Sequence, residues 1–259
     1  MPGWKPFRGA TAVGDVRVLR DVASPQLGNT RDLYVYLPPG HASGAGRFPV
    51  VYMHDGQNLF DDETSFAGEW QVDETMELLA DEGTEAIVVG VSNADEARAD
   101  EYSVAGGRGR EYLRFLAETV KPLVDRDFRT LPGRETTGLL GSSLGGLISL
   151  YGVFVEPGVF GFTGALSPAL WYARRAVFRI VDRAPFADAR IYLDVGENEL
   201  PGERAKTRRY VADVRRMVAL LETKGYGPDR LRHVFDPEGT HHERDWARRL
   251  PDALRFLLG

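Results

Sequence analysis

Apolar residues along this chain recur in two alternating patterns. Short aliphatic and β-branched runs at 16–20, 33–37, 50–53, 86–91, 138–141, 161–166, 191–195 and 231–235 predict strands. Several of these runs have no polar interruption, as strands buried on both faces of a parallel sheet require. Between them, apolar positions at helical spacing predict helices over 70–80, 112–124, 144–154, 176–181, 210–221 and 246–258. Pro122 is expected to kink or end its helix, and Pro251 to occupy the first turn of the last helical segment.

Strands alternating with longer helices imply βαβ units and a mostly parallel central sheet of about eight strands, with helices on both faces. The first strands follow one another through Pro-, Gly- and Asn-bearing turns at 24–30 and 38–48, which predicts antiparallel hairpins at one sheet edge. An antiparallel start followed by a doubly wound parallel remainder is an α/β-hydrolase layout. With no repeat, low-complexity tract or long polar linker, residues 1–259 read as one domain.

The segment Gly141-Ser142-Ser143-Leu144-Gly145-Gly146 joins an apolar strand to an apolar helix. That context is what a G-x-S-x-G nucleophile elbow needs, with a serine on a strained turn above a helix N-terminus. Only Ser143 has glycine at both −2 and +2. In this fold the base follows the serine, so His41 and His54 fail the order and His233 falls inside a strand. His241 and His242 follow the last strand; His241 is preferred, with His242 capping or flanking the final helix. The acid belongs after the strand at 191–195, where Glu197 and Glu199 are candidates, with Asp236 a third; Asp194 is committed to one face of the sheet. Backbone donors for a developing oxyanion are expected at Leu144 and, after the strand at 50–53, at Gln57, with Gly56 allowing the turn. A metal site from His54, Asp55, Asp61, Asp62 and Glu63 lacks any H-E-x-x-H spacing and is set aside. No metal or organic cofactor is expected.

These segments resemble the Putative esterase (esterase D-like) family of α/β hydrolases, which includes feruloyl and acetyl esterases, enterochelin-type esterases, S-formylglutathione hydrolases and mycolyltransferases. The resemblance runs through "VYMHDGQNLFD" at 51–61, the elbow, "GALSPALW" at 164–171, "YLDVGENE" at 192–199 and "GTHHERDW" at 239–246. It implies Glu199 as acid, His241 as base and Gln57 as oxyanion donor. It also implies a pocket segment at 98–102, and hence substrate contacts at Asp55, Asn58, Arg98, Glu101 and Trp171. The family's proline after "EYS" is replaced by Val104, which leaves the pocket shape open. Aromatic Phe60, Trp70, Trp171 and Tyr172 are candidates for the active-site face and equally for the core. The expected reaction is hydrolysis of a small acyl, aryl or sugar ester through an acyl-enzyme. An acyltransferase would use the same residues, and a non-catalytic binding member would lack some of them.

Charge and composition narrow the remaining classes. A net charge of −6 with acidic residues spread along the chain provides no basic footprint for nucleic acid or anionic membrane. The absence of cysteine removes disulfides, thiolate zinc sites and a Cys nucleophile. No apolar run approaches a membrane span, and residues 1–14 lack a secretory apolar core, so a cytoplasmic location is expected. Oligomeric state is not legible.

Overall fold

Strands that are apolar on both faces have to be covered on both faces, and the computed structural model does this with one nine-stranded sheet. It describes residues 3–259; Met1 and Pro2, the start of the stretch read above for a leader, lie outside the described residues. The strands are β1 (Lys5–Pro6), β2 (Asp15–Ser24), β3 (Asn29–Leu37), β4 (Val50–His54), β5 (Ile87–Val91), β6 (Thr137–Ser142), β7 (Phe162–Leu166), β8 (Arg190–Gly196) and β9 (Leu231–Asp236). Their order is β1-β2-β3-β5-β4-β6-β7-β8-β9, with β1 to β3 antiparallel and β5 through β9 parallel. The helices are α1 (Pro39–Ser43), α2 (Val72–Asp81), α3 (Arg98–Glu101), α4 (Gly109–Phe115), α5 (Lys121–Asp127), α6 (Leu144–Val155), α7 (Tyr172–Arg183), α8 (Arg204–Thr223) and α9 (Glu243–Leu258).

Strand alternation splits the core in two. Val50, Tyr52, Ile87 and Val89 face one cluster with Tyr112, Leu147, Val177 and Val214 from α4, α6, α7 and α8. Val51, Met53 and Val88 face another with Met76 and Leu79 from α2 and Leu250, Leu254 and Leu257 from α9. The expected α/β architecture, mostly parallel sheet and two helical layers are all present.

Four local expectations are corrected. The sheet has nine strands rather than about eight, because the two-residue β1 has no apolar run to reveal it. The 38–48 connection is not a hairpin: it carries α1, and β5 inserts between β3 and β4. The 112–124 helix extends from α4 through a π-helical turn, Leu116–Val120, into α5. Pro122 has no N–H to give Glu118, and the wider turn before it absorbs the lost bond. Pro251 lies in the middle of α9, which starts at Glu243, not in its first turn. His242 caps that helix, its Nδ1 accepting from the Arg244 N–H at 3.2 Å, so the helix begins before its apolar stripe does.

Candidate active site

The loops leaving the C-terminal ends of β4, β5, β6 and β9 border one cavity of about 710 Å³, the position where open α/β sheets usually bind ligands. Ser143 and His241 both line it. Ser143 follows β6 with φ 54° and ψ −119°, a backbone that non-glycine residues rarely adopt. The bend is held from both sides: the Ser143 N–H donates to Leu166 O at 3.0 Å, and its carbonyl accepts from Ala169 N at 2.8 Å. A Cβ on Gly141 would lie 2.8 Å from the Gly145 carbonyl carbon, so the strand and helix cross too closely there for any side chain. Leu144 opens α6, and its N–H is among the helix-start donors without an intrahelical acceptor.

Glu199 and His241 come from different loops and meet. Glu199 Oε2 lies 2.5 Å from His241 Nδ1, and the His241 N–H donates to the Glu199 carbonyl at 2.9 Å. Glu199 is buried, and its Oε1 accepts from Gly196 N at 2.7 Å and from the Ser167 hydroxyl at 2.6 Å. Ser167 Oγ in turn accepts from Trp246 Nε1 and Arg249 Nη2, both at 3.1 Å. Arg249 also bonds Asp194 and Asp236, each at 3.0 Å. Burial raises the Asp194 carboxyl to about 6 despite the Arg249 charge beside it. Of the other acid candidates, Glu197 is exposed and pairs with Arg215, while Asp236 is committed to Arg248 and Arg249.

The β4 loop forms the opposite wall. Asp55 is the left-handed residue of its turn, with φ 57°, whereas Gly56 is required for a different reason than the one expected: a Cβ there would lie 2.6 Å from the Gly90 carbonyl carbon. Gln57 and Asn58 line the cavity. Asp55 and Arg98 also line it but are bonded to each other, Nε to Oδ1 at 2.6 Å and Nη2 to Oδ2 at 2.8 Å. Glu101 does not reach the cavity. It is buried in an ion pair with Arg31 and accepts from Asn29 Nδ2, because the short α3 turns it toward β3. Trp171 stands outside the cavity lining, 44% exposed, its ring 6.2 Å from that of Tyr210. Trp70 is buried against Trp246 and lines the cavity; Phe60 is core, and the Tyr172 hydroxyl donates to Ala99 O. Val104 is buried, and Arg108 ties the loop after it to the carbonyls of Gln26 and Leu27, away from the cavity.

The Putative esterase family's sequence profile matches residues 24–257. The chain belongs to the Putative esterase family. Among its relatives, the Bacillus subtilis (strain 168) protein YbbA is 26% identical over 247 residues, covering 90% of this chain and 94% of that protein. An enterochelin esterase structure from Shigella flexneri superposes with a TM-score of 0.77 at 18% identity, over 98% of this chain and 60% of that one. A ferulic acid esterase structure superposes with a TM-score of 0.72 at 16% identity, over 94% and 98%. These structures share the α/β-hydrolase fold with this chain.

Several side chains of this Putative esterase member at the site escaped sequence reading. Ser167, inside the "GALSPALW" segment, carries no signal of its own until Glu199 is seen against it. Tyr210, on α8, is buried, and burial raises its pKa. Its ring packs 5.2 Å from that of His241. His54 is not available to a metal through either nitrogen: Nδ1 is 2.8 Å from the Tyr112 hydroxyl and Nε2 2.9 Å from Ser149 Oγ. Burial lowers its pKa to about 4. Among the described residues no helix is long and apolar enough to cross a membrane.

Proposed function

We propose that this chain is a serine carboxylic-ester hydrolase with Ser143 as nucleophile, His241 as general base and Glu199 as the acid that orients it. The observation that carries this reading is the Glu199–His241 hydrogen bond in a loop pair that also brings His241 to the cavity of the strained Ser143. Glu199 holds the proton on His241 Nδ1, leaving Nε2 to accept the Ser143 proton. The Ser143 oxygen adds to the ester carbonyl, and the resulting oxyanion accepts from the N–H groups of Leu144 and Gln57. Collapse expels the alcohol, which takes the proton back from His241. Water, deprotonated by the same imidazole, then releases the acid and frees Ser143.

The substrate proposed is a small ester with an aryl, acyl or sugar part, resting against Trp70, Trp246 and Phe66 and the polar Asn58 and Asn93. The names of its structural neighbours, a ferulic acid esterase and an enterochelin esterase, make feruloyl and catecholate siderophore esters the first to try. Turnover of these, of p-nitrophenyl esters of graded length and of acetylated sugars is expected to disappear in Ser143→Ala, and a fluorophosphonate is expected to label Ser143. Undiminished turnover in that variant, or labelling at Ser142, would overturn the assignment.

A further inference from the structure

A second concave surface lies between α7 and α8, on a different part of the molecule. It is a groove of about 620 Å³ bordered by Arg174, Arg175, Arg179, Arg183 and Arg216, with Asp182 as its one acidic lining residue. None of its lining residues borders the Ser143 cavity. We propose that this groove binds a small ligand carrying two or more phosphate groups. The inference does not rest on ester hydrolysis.

Three observations converge on it. The first is the state of the guanidinium groups. Arg175 is held by Asp213, with Nε 2.8 and 3.0 Å from the two carboxylate oxygens, and Arg216 lies over the Phe178 ring at 4.7 Å. Arg174, Arg179 and Arg183 have no hydrogen-bond or carboxylate partner among the described residues. The second is charge density. α7 and α8 carry ten Lys and Arg residues against three Asp and Glu, in a chain whose net charge is −6. Arg179 and Arg183 stand at i, i+4 on the regular part of α7, where like charges repel, so the pair is unfavourable until an anion neutralises it. The third is backbone strain. Ala173, Arg174 and Arg175 have φ of 47°, 55° and 59°, three successive non-glycine residues in the left-handed region, at the point where the first two arginines enter the groove.

The chemistry selects the ligand. All four cations that α7 contributes are arginines, whose planar forks bond two phosphate oxygens at once, where lysine would offer a point charge. Several unpaired guanidiniums around one groove match several charges rather than a single carboxylate. The volume is that of a small-molecule pocket. A soluble polyphosphate compound and an anionic lipid headgroup share this chemistry.

The test is calorimetric titration of the full chain with inorganic tripolyphosphate at low ionic strength, with sodium chloride of matched ionic strength as control. One-to-one binding is expected, weakening with added salt. In R179Q/R183Q, with far-UV circular dichroism reporting the fold, Kd should rise by roughly tenfold or more, since two charge-assisted contacts are lost. If that double variant does not fold, R174Q alone is expected to weaken binding in the same direction. Flotation with vesicles containing cardiolipin, a lipid with two phosphates, separates the sources. Arginine-dependent capture that tripolyphosphate reverses assigns a lipid phosphate, and tripolyphosphate binding without capture assigns a soluble one. No heat beyond the salt control, or binding unchanged in the arginine variants, overturns the proposal.

Discussion

Glu199, His54 and Asp236 illustrate how far a residue's type alone describes it. All three are ionisable residues next to conspicuous motifs, and each has a different task set by its neighbours. The proposed acid is the most exposed to test. Glu199→Gln should lower kcat by a factor of at least about a hundred, because an amide neither stabilises the imidazolium nor fixes its tautomer. Glu197→Gln should stay within about threefold, as an exposed charge paired with Arg215. Asp236→Asn should act on stability instead, seen as a lower Tm, because it leaves the largely buried Arg249 short of a partner. A hundredfold kinetic loss at Asp236 with Tm unchanged would contradict this division. His54 yields a pH prediction. Its folded pKa of about 4 lies below the unfolded value of 6.5, so its contribution to stability is complete above pH 6.5 and is lost as pH falls toward 4. The loss amounts to about 3 kcal/mol. Urea midpoints measured between pH 7.5 and 4.5 should slope downward in the wild type. His54→Gln should be less stable at neutral pH and have a shallower slope.

At the scale of elements, periodicity identified the central strands and long helices but not their ends. α8 begins at Arg204, two turns before its apolar stripe, because its first residues are exposed and carry no pattern. The π turn before α5 and the left-handed run in α7 are likewise invisible in periodicity, since both depend on backbone geometry. Pro251 offers a direct test of α9 as a continuous helix. It deprives the Ala247 carbonyl of its intrahelical donor, so Pro251→Ala should raise stability by about 1 to 2 kcal/mol: an interior proline costs about 3, partly offset by its restriction of the unfolded chain. Chemical denaturation would check this, and an unchanged or lower midpoint would mean that α9 is interrupted at Pro251.

For the whole molecule, the single sheet with a core cluster on each face makes the one-domain reading testable. Near-ultraviolet and far-ultraviolet circular dichroism should follow coincident unfolding curves in urea, since neither cluster is complete without the shared strands. Two separated transitions would divide the chain into independent units. The charge distribution is also a property of this scale. Net charge and an even spread of acids along the chain conceal that α7 and α8 bring five arginines around one groove.

What the sequence by itself determined is what local pattern and residue type can carry: alternating strands and helices, a Gly-flanked serine at a strand-to-helix turn, and histidines after the last strand. The fold class follows from these because apolar runs must be buried whatever their partners. Tertiary structure decided which side chains meet. Glu199, Glu197 and Asp236 are alike as carboxylates, and only the packing of the β8 and β9 loops puts the first against His241. Glu101 belongs to a recognisable pocket segment, yet the turn of α3 buries it against Arg31. Ser167, inside a recognised segment that assigns it no role, contacts Glu199, and Tyr210 packs against His241 from α8 with no motif to announce it. Contacts between residues tens of positions apart depend on strand order and on loop backbones, and neither is written in the local alternation of polar and apolar residues.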